Sequence, residues 1–101
     1  MGTITEDLET LLSLEPELAA RAALSMHGPE LDVEHTRGWA AYVRIAVAEY
    51  HRVVAEAKEL TAEMGPEIEK SYTAILKINA VKNLLSTLRM LADTSPSQLL
   101  H

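Results

Sequence analysis

The chain contains no cysteine and no phenylalanine, and its aromatic residues are only one tryptophan and three tyrosines. Without cysteine it can form neither a disulfide framework nor a thiolate metal site. This is compatible with a reducing compartment, and we expect a cytoplasmic location. Apolar residues make up 48% of the chain and are mostly Ala, Leu, Val, Ile and Met. Because helices tolerate these residues well, the composition predicts an all-α protein.

Long apolar runs are also missing. No uncharged stretch approaches the ~20 residues that cross a bilayer. Residues 1–7 are acidic and lack the basic region and apolar run of a secretory signal. At 101 residues the chain has the length of one domain. We therefore predict a soluble, single helical domain over residues 1–101, with no membrane partner.

Positive charge is scarce in the first third of the chain. Residues 1–36 contain eight acidic residues against Arg21 alone, whereas the remainder is nearly balanced, and the net charge is −6. Lys and Arg contacts to phosphate supply most of the nonspecific affinity for duplex DNA. The charge balance therefore argues against a free-standing DNA-binding protein. An assembly that presents one basic rim many times would still bind DNA.

Two short helices are predicted at the N-terminal end, over residues 4–13 and 16–27. Thr3 and Glu6 form a capping-box pattern, in which each side chain satisfies a free backbone N–H at the start of a helix. A proline suits the first turn of the second helix, and a Gly-Pro pair ends it. Both helices are too short to be stable alone, so they must pack against something else.

A heptad pattern in the middle of the sequence predicts a long helix over residues 33–64. Asp32 is a suitable N-cap for this helix. Apolar residues recur at alternating steps of four and three, and a second row beside them widens the stripe beyond what a two-stranded coiled coil needs. The first row consists of Trp39, Val43, Ala46, Tyr50, Val53, Ala57, Leu60 and Met64.

A last helix is predicted over residues 67–92, because Gly65 and Pro66 end one helix and begin the next. The two long helices would form an antiparallel helical hairpin, followed by an irregular tail over residues 93–101. The second half of the last helix is apolar around nearly its whole circumference. One antiparallel partner does not cover such a helix, so either the short N-terminal helices or another subunit must do so.

This surplus apolar surface predicts self-association into a homo-oligomer. The residues expected at the oligomer interface are apolar positions of the two long helices. They are Trp39, Val43, Tyr50, Leu84, Leu85, Leu88 and Leu91.

Reactive residues form no catalytic or metal-binding pattern. Four histidines are present, yet a di-metal site in a bundle needs inward Glu-x-x-His pairs, and Ala48 stands where the Glu before His51 would be. Asp32, Glu34 and His35 lie together at a helix start, where capping and surface roles are expected. The apolar rows contain no ionisable residue except one tyrosine. We therefore expect no enzymatic activity, no catalytic residues, no metal site and no cofactor.

Basic residues of the long helices are candidates for contacts with double-stranded DNA when an oligomer repeats them. Lys77, Lys82 and Arg89 are the positions expected to touch backbone phosphate. Their spacing divides them, because Lys70 and Lys77 share one row of the helix while Lys82 and Arg89 share another. The alternative is a solvated face on which bases alternate with Glu. Residues 1–30 contain no helix-turn-helix pattern, so any DNA binding is expected to be non-specific.

Several short segments carry a resemblance to a known family. Residues 31–35 (LDVEH) lead into residues 39–42 (WAAY), an acidic helix start followed by small residues and a tyrosine. Residues 59–65 form a Glu-rich turn ending in glycine, and residues 94–97 (TSPS) close the last helix. In these features residues 31–100 resemble the phage terminase small subunits, in the compact family that lies beside the large terminase in many tailed phages.

The resemblance implies a function in DNA packaging. It implies a ring oligomer of helical hairpins that binds DNA, presents it to the large terminase subunit and modulates the ATPase and nuclease of that motor. Such an adaptor is non-catalytic. The residues themselves leave a second class open, a small helical protein–protein interaction module that acts as a dimeric regulator, an inhibitor or a chaperone.

Overall fold

A computed structural model describes residues 3–94, and every regular element within them is a helix. The predicted all-α class is therefore confirmed. None of these helices combines the length and apolar character that a membrane-spanning helix needs. The elements are α1 (Ile4–Leu12), α2 (Pro16–His27), a short 3-10 helix (Gly28–Glu30), α3 (Val33–Thr61) and α4 (Pro66–Thr94).

The predicted capping box holds the start of α1. The Thr3 hydroxyl accepts a hydrogen bond from the backbone N–H of Glu6 at 3.1 Å, and the Glu6 carboxylate accepts one from the backbone N–H of Thr3 at 3.3 Å. Both N–H groups belong to the first turn, where no helical carbonyl is available to them. The helix ends at Leu12, one residue earlier than predicted.

The boundaries of the long helices differ slightly from the prediction. Asp32 caps α3 as expected and accepts a hydrogen bond from the backbone N–H of His35 at 2.8 Å. The helix ends at Thr61, and the chain then reverses through Gly65, whose φ of 106° is a left-handed conformation that glycine adopts without steric cost. Because α4 continues to Thr94, the expectation of an irregular structure from residue 93 is wrong for its first two residues. Residues 95–101 of that tail lie outside the described part.

The two long helices pack against each other. The start of α3 lies beside the end of α4, where His35 Nε2 is 3.2 Å from the Thr94 hydroxyl. α2 packs on α3, and α1 contacts α2, α3 and α4. The N-terminal helices therefore lie on one side of a layer formed by α3 and α4.

The core lies where all four helices meet. It uses the first half of α3 and the second half of α4, and α1 contributes three leucines to it. The sequence left open whether the N-terminal helices or another subunit cover the last helix, and here the chain's own helices bury one face of its second half, at Val81, Leu84 and Leu88. The buried apolar side chains of this core are Leu8, Leu11, Leu12, Ala19, Ala23, Leu31, Trp39, Val43, Val47, Val81, Leu84 and Leu88.

Away from this core, α3 and α4 are the only elements of residues 3–94. It measures 54 × 23 × 22 Å. No residue between 66 and 80 is buried, and α3 beyond Val47 buries only Ala57 and Thr61. We call residues 54–75 the two-helix end. The uncovered apolar surface is thus mainly in the first half of α4, whereas the sequence had suggested the second half.

Candidate functional site

An apolar groove runs between α3 and α4 on the side away from α1 and α2. Its volume is about 300 Å³. Small side chains create it, because Ala46 and Ala80 leave space where larger residues would bring the helices into contact. Leu12 of α1 closes its bottom. The lining residues are Leu12, Tyr42, Ile45, Ala46, Glu49, Tyr50, Val53, Leu76, Asn79, Ala80 and Asn83.

The rim of the groove carries one charged residue, Glu49. Arg52 donates to its carboxylate, with Nε 3.1 Å from Oε2, and also bonds to Glu56 at 2.6 Å. The hydrogen bond from Arg52 lowers the pKa of Glu49 and raises that of the guanidinium, so both remain charged and paired at neutral pH. Burial raises the pKa of Tyr50, which keeps its hydroxyl neutral. The one carboxylate in the groove lining is therefore paired, and Arg52 is shared between it and Glu56.

Exposed apolar side chains continue the groove into the two-helix end. Leu60 follows Val53 by seven residues, and Tyr72 precedes Leu76 by four, so each lies on the same helical row as a residue of the groove. Ile68 and Ile75 belong to the same side of α4. All four are exposed. We call the groove together with Leu60, Ile68, Tyr72 and Ile75 the bare face.

The other side of the α3–α4 contact is basic. Lys58, Lys70 and Lys77 surround a shallow depression there, together with Thr73. Lys77 Nζ lies 3.8 Å from a carboxylate oxygen of Glu9 in α1. This is therefore the side on which the N-terminal helices lie. Tyr50 lies between this depression and the groove and lines both of them.

The three bases expected to contact DNA do not lie together. Lys77 belongs to the basic depression just described, whereas Lys82 and Arg89 line a separate shallow surface with Asp93. This separation agrees with the helical spacing, which placed Lys77 in one row of the last helix and Lys82 with Arg89 in another. Lys58 belongs to α3, and only the packing of α3 on α4 places it beside Lys70 and Lys77.

Four of the residues expected at an oligomer interface are inside the single chain. Trp39, Val43 and Leu84 have no exposed surface, and Leu88 is 2% exposed. Their assignment to a subunit interface is therefore corrected, because α1 and α2 already cover them. Tyr50, Leu85 and Leu91 are half-buried at the edge of the core, and Tyr50 also lines the groove.

The histidines are placed by local and core contacts. His35 donates from its ring Nδ1 to the Asp32 carboxylate at 2.8 Å, and the backbone and ring bonds from His35 lower the pKa of Asp32. His27 is buried, and its ring forms a T-shaped pair with that of Trp39, with 5.6 Å between the ring centroids and 75° between the ring planes. Within residues 3–94 no three metal-binding side chains come together.

Sequence reasoning missed the groove and the burial of His27. Ala46 stood in the predicted apolar row, where a small residue is a signal for a close approach or a gap, but Ala80 had no such signal. A histidine at the end of a helix is usually expected at the surface, and only the packing of α2 on α3 buries His27.

Comparison of the chain with protein family models, curated proteins and solved structures finds no match.

Proposed function

We propose that the chain is a non-catalytic, self-assembling adaptor for DNA packaging, similar to a phage small terminase. In this function several copies form a ring, bind duplex DNA without sequence preference and regulate the large terminase motor. The family assignment rests on the resemblance of residues 31–100. The structural observation that carries the proposal is the bare face, which no part of residues 3–94 covers.

The exposure of this face supports assembly. Leu60 is 71% exposed and Ile75 57%, and both lie beside a groove lined mainly by apolar atoms. Monomeric soluble proteins seldom expose contiguous apolar patches larger than a few hundred Å², and larger patches usually mark an interaction site. A small domain also buries a limited fraction of its surface, so a partner adds stability.

The basic depression supports the DNA component of the proposal. Lys58, Lys70 and Lys77 come from two helices and meet on one surface. A single chain with a net charge of −6 offers weak attraction to phosphate. A ring that repeats these lysines in every subunit would multiply the phosphate contacts, and each contact releases a counterion.

The test is the salt dependence of binding to a labelled DNA duplex, with two matched double variants. Lys58→Glu with Lys70→Glu changes the basic depression, and Arg21→Glu with Arg37→Glu changes the net charge equally at exposed sites elsewhere. We expect the native chain to bind at about 50 mM salt and to lose at least tenfold in affinity by about 200 mM. The lysine variant should lose binding, and the arginine variant should retain it.

Two results would contradict the proposal. One is the absence of DNA binding by the native chain at low salt. The other is equal loss of binding in both double variants, which would reveal only a response to net charge. A third variant, Lys82→Glu with Arg89→Glu, then measures how much the second basic surface contributes.

A second function is favoured by the apolar lining of the groove. A dimeric helical interaction module, acting as a regulator, inhibitor or chaperone, would use such a groove to hold an apolar helix face of another protein. This module would show no DNA binding at either salt concentration. Its native mass would correspond to two chains, whereas a packaging ring contains more.

A further inference from the structure

The bare face has a shape that fits its own copy. It contains a concave part, the groove above Ala46 and Ala80, and convex parts, the exposed side chains of Ile45 and Ile75 beside it. A surface with both features in one patch can be complementary to itself. In a two-fold interface the projecting residues of each copy then fill the groove of the other.

The chain's described helices do not supply another occupant. α1 buries Leu8, Leu11 and Leu12 in the core on the opposite side of the α3–α4 layer. α2 packs on α3 at the same end of the molecule. The N-terminal helices are therefore already engaged in the core, and no helix of residues 3–94 covers the bare face.

The distribution of charge favours an identical partner over a nucleic acid. Two copies of a chain with a net charge of −6 repel each other unless their contact surfaces are nearly neutral. On the bare face the one charged residue lining the groove, Glu49, is paired with Arg52. The clustered lysines Lys58, Lys70 and Lys77 lie on the other side of the layer. The apolar groove with its one paired carboxylate lies on this side and the clustered lysines lie on the other, so a protein contact and a phosphate contact would use different surfaces.

The length of the molecule leaves room for an interface of standard size. A standard protein interface buries about 800 Å² on each partner. The molecule is 54 Å long and at least 22 Å wide, so the whole side that contains the bare face is larger than such an interface. A second copy over the two-helix end would also complete a four-helix arrangement there, as α1 and α2 do at the other end.

We infer that two copies of this chain pair through the bare face about a two-fold axis, with Ile75 and Leu60 of each copy buried against the other. This inference rests on the self-association in the proposed function, and it names the partner and the surface. It is independent of the DNA contact, which uses the opposite side of the layer.

The test is the native mass of the purified chain by light scattering on a sizing column over a range of concentrations. Ile75→Glu places a charge on the bare face, and Leu18→Glu is its control on α2, where the replaced side chain is 52% exposed against 57% for Ile75. A second pair is Leu60→Glu and Val33→Glu, since both side chains are 71% exposed on α3. Circular dichroism of each variant verifies that helicity is unchanged.

We expect the native chain to contain an even number of subunits, because a two-fold contact joins chains in pairs. Each substitution changes two side chains in such a contact, one from each copy. Loss of one buried apolar side chain costs about a factor of ten or more, so the dissociation constant of Ile75→Glu should rise by about 100-fold or more. The same is expected for Leu60→Glu, while Leu18→Glu and Val33→Glu should keep the native mass.

The outcomes separate this inference from the proposed function. A native monomer, an odd number of subunits, or an assembly that survives both bare-face substitutions would overturn the two-fold pairing. An odd-numbered ring that binds DNA would overturn the pairing and leave the packaging function intact. An even-numbered assembly that the substitutions dissociate, without any DNA binding, would support the pairing and contradict the packaging function.

Discussion

His51 of α3 donates a hydrogen bond from its ring Nε2 to the backbone carbonyl of Leu12, at 2.7 Å. Leu12 is the last residue of α1, where carbonyl groups have no partner within the helix. One side chain therefore supplies a partner for the last carbonyl of α1 and attaches this helix to the long helix 39 residues further along the sequence. The contact aligns α1 over the gap between α3 and α4, where Leu12 forms the bottom of the groove.

Removal of this hydrogen bond should destabilise the fold. His51→Leu leaves the partly buried carbonyl of Leu12 without a donor, and we expect the free energy of unfolding to fall by about 1–3 kcal/mol. Urea denaturation followed by circular dichroism measures it. His51→Gln is the control, because its amide retains a donor and should lose less. Equal stability of His51→Leu and the native chain would show that water replaces the bond at no cost.

The buried His27 predicts that stability decreases in mild acid. Burial lowers the pKa of its imidazole below the ordinary value of 6.5, while Glu30 and Asp7 oppose the shift. Below pH 6.5 the unfolded chain therefore binds a proton that the folded chain takes up only at lower pH. The free energy of unfolding should fall as the pH decreases from about 7.5 through this window, where His27 begins to titrate in the unfolded chain.

Urea midpoints at several pH values test this. His27→Leu removes the titrating group and should show a shallower decrease between pH 7 and pH 5 than the native chain does. Parallel curves for the two proteins would assign the pH dependence to other groups.

The leucines of α1 should contribute strongly to stability, because they are part of the core. Leu11 has no exposed surface. Leu11→Ala creates a cavity, and we expect it to lower the free energy of unfolding by about 3–5 kcal/mol. Leu18→Ala changes an exposed side chain of α2. Apart from the change in helix propensity, it should lower the free energy of unfolding by about 0.5 kcal/mol or less. Similar small effects for both would mean that α1 does not pack on its own chain in solution.

Two glycines should respond to alanine with opposite signs. Gly65 has a positive φ in the turn between the long helices, so Gly65→Ala forces alanine into a left-handed conformation and should cost about 1–2 kcal/mol. Gly38 lies inside α3 with open space around its Cα. Gly38→Ala should therefore stabilise the fold by about 0.5–1 kcal/mol. Thermal unfolding of the two variants beside the native chain gives both signs in one experiment.

The sequence by itself determined the four helices and the residues at which the first three begin. The capping box at Thr3, the N-cap at Asp32 and the reversal at Gly65 are local, because each involves hydrogen bonds or backbone angles among residues at most four apart. Such signals need no distant residue, so they can be identified from the sequence alone. The period of the apolar residues likewise establishes that α3 has an apolar stripe, since that period is a property of a single helix.

Only the tertiary structure decided which part of that stripe is covered. Trp39 and Leu60 belong to the same heptad row, yet Trp39 is fully buried and Leu60 is 71% exposed. As a sequence pattern, the row is apolar along its whole length. Its burial differs along that length because α1 and α2 are short and contact α3 near its first half, through core packing and the hydrogen bond from His51 to Leu12. The bare face is the remainder of the stripe, and its position depends on contacts between residues far apart in the chain.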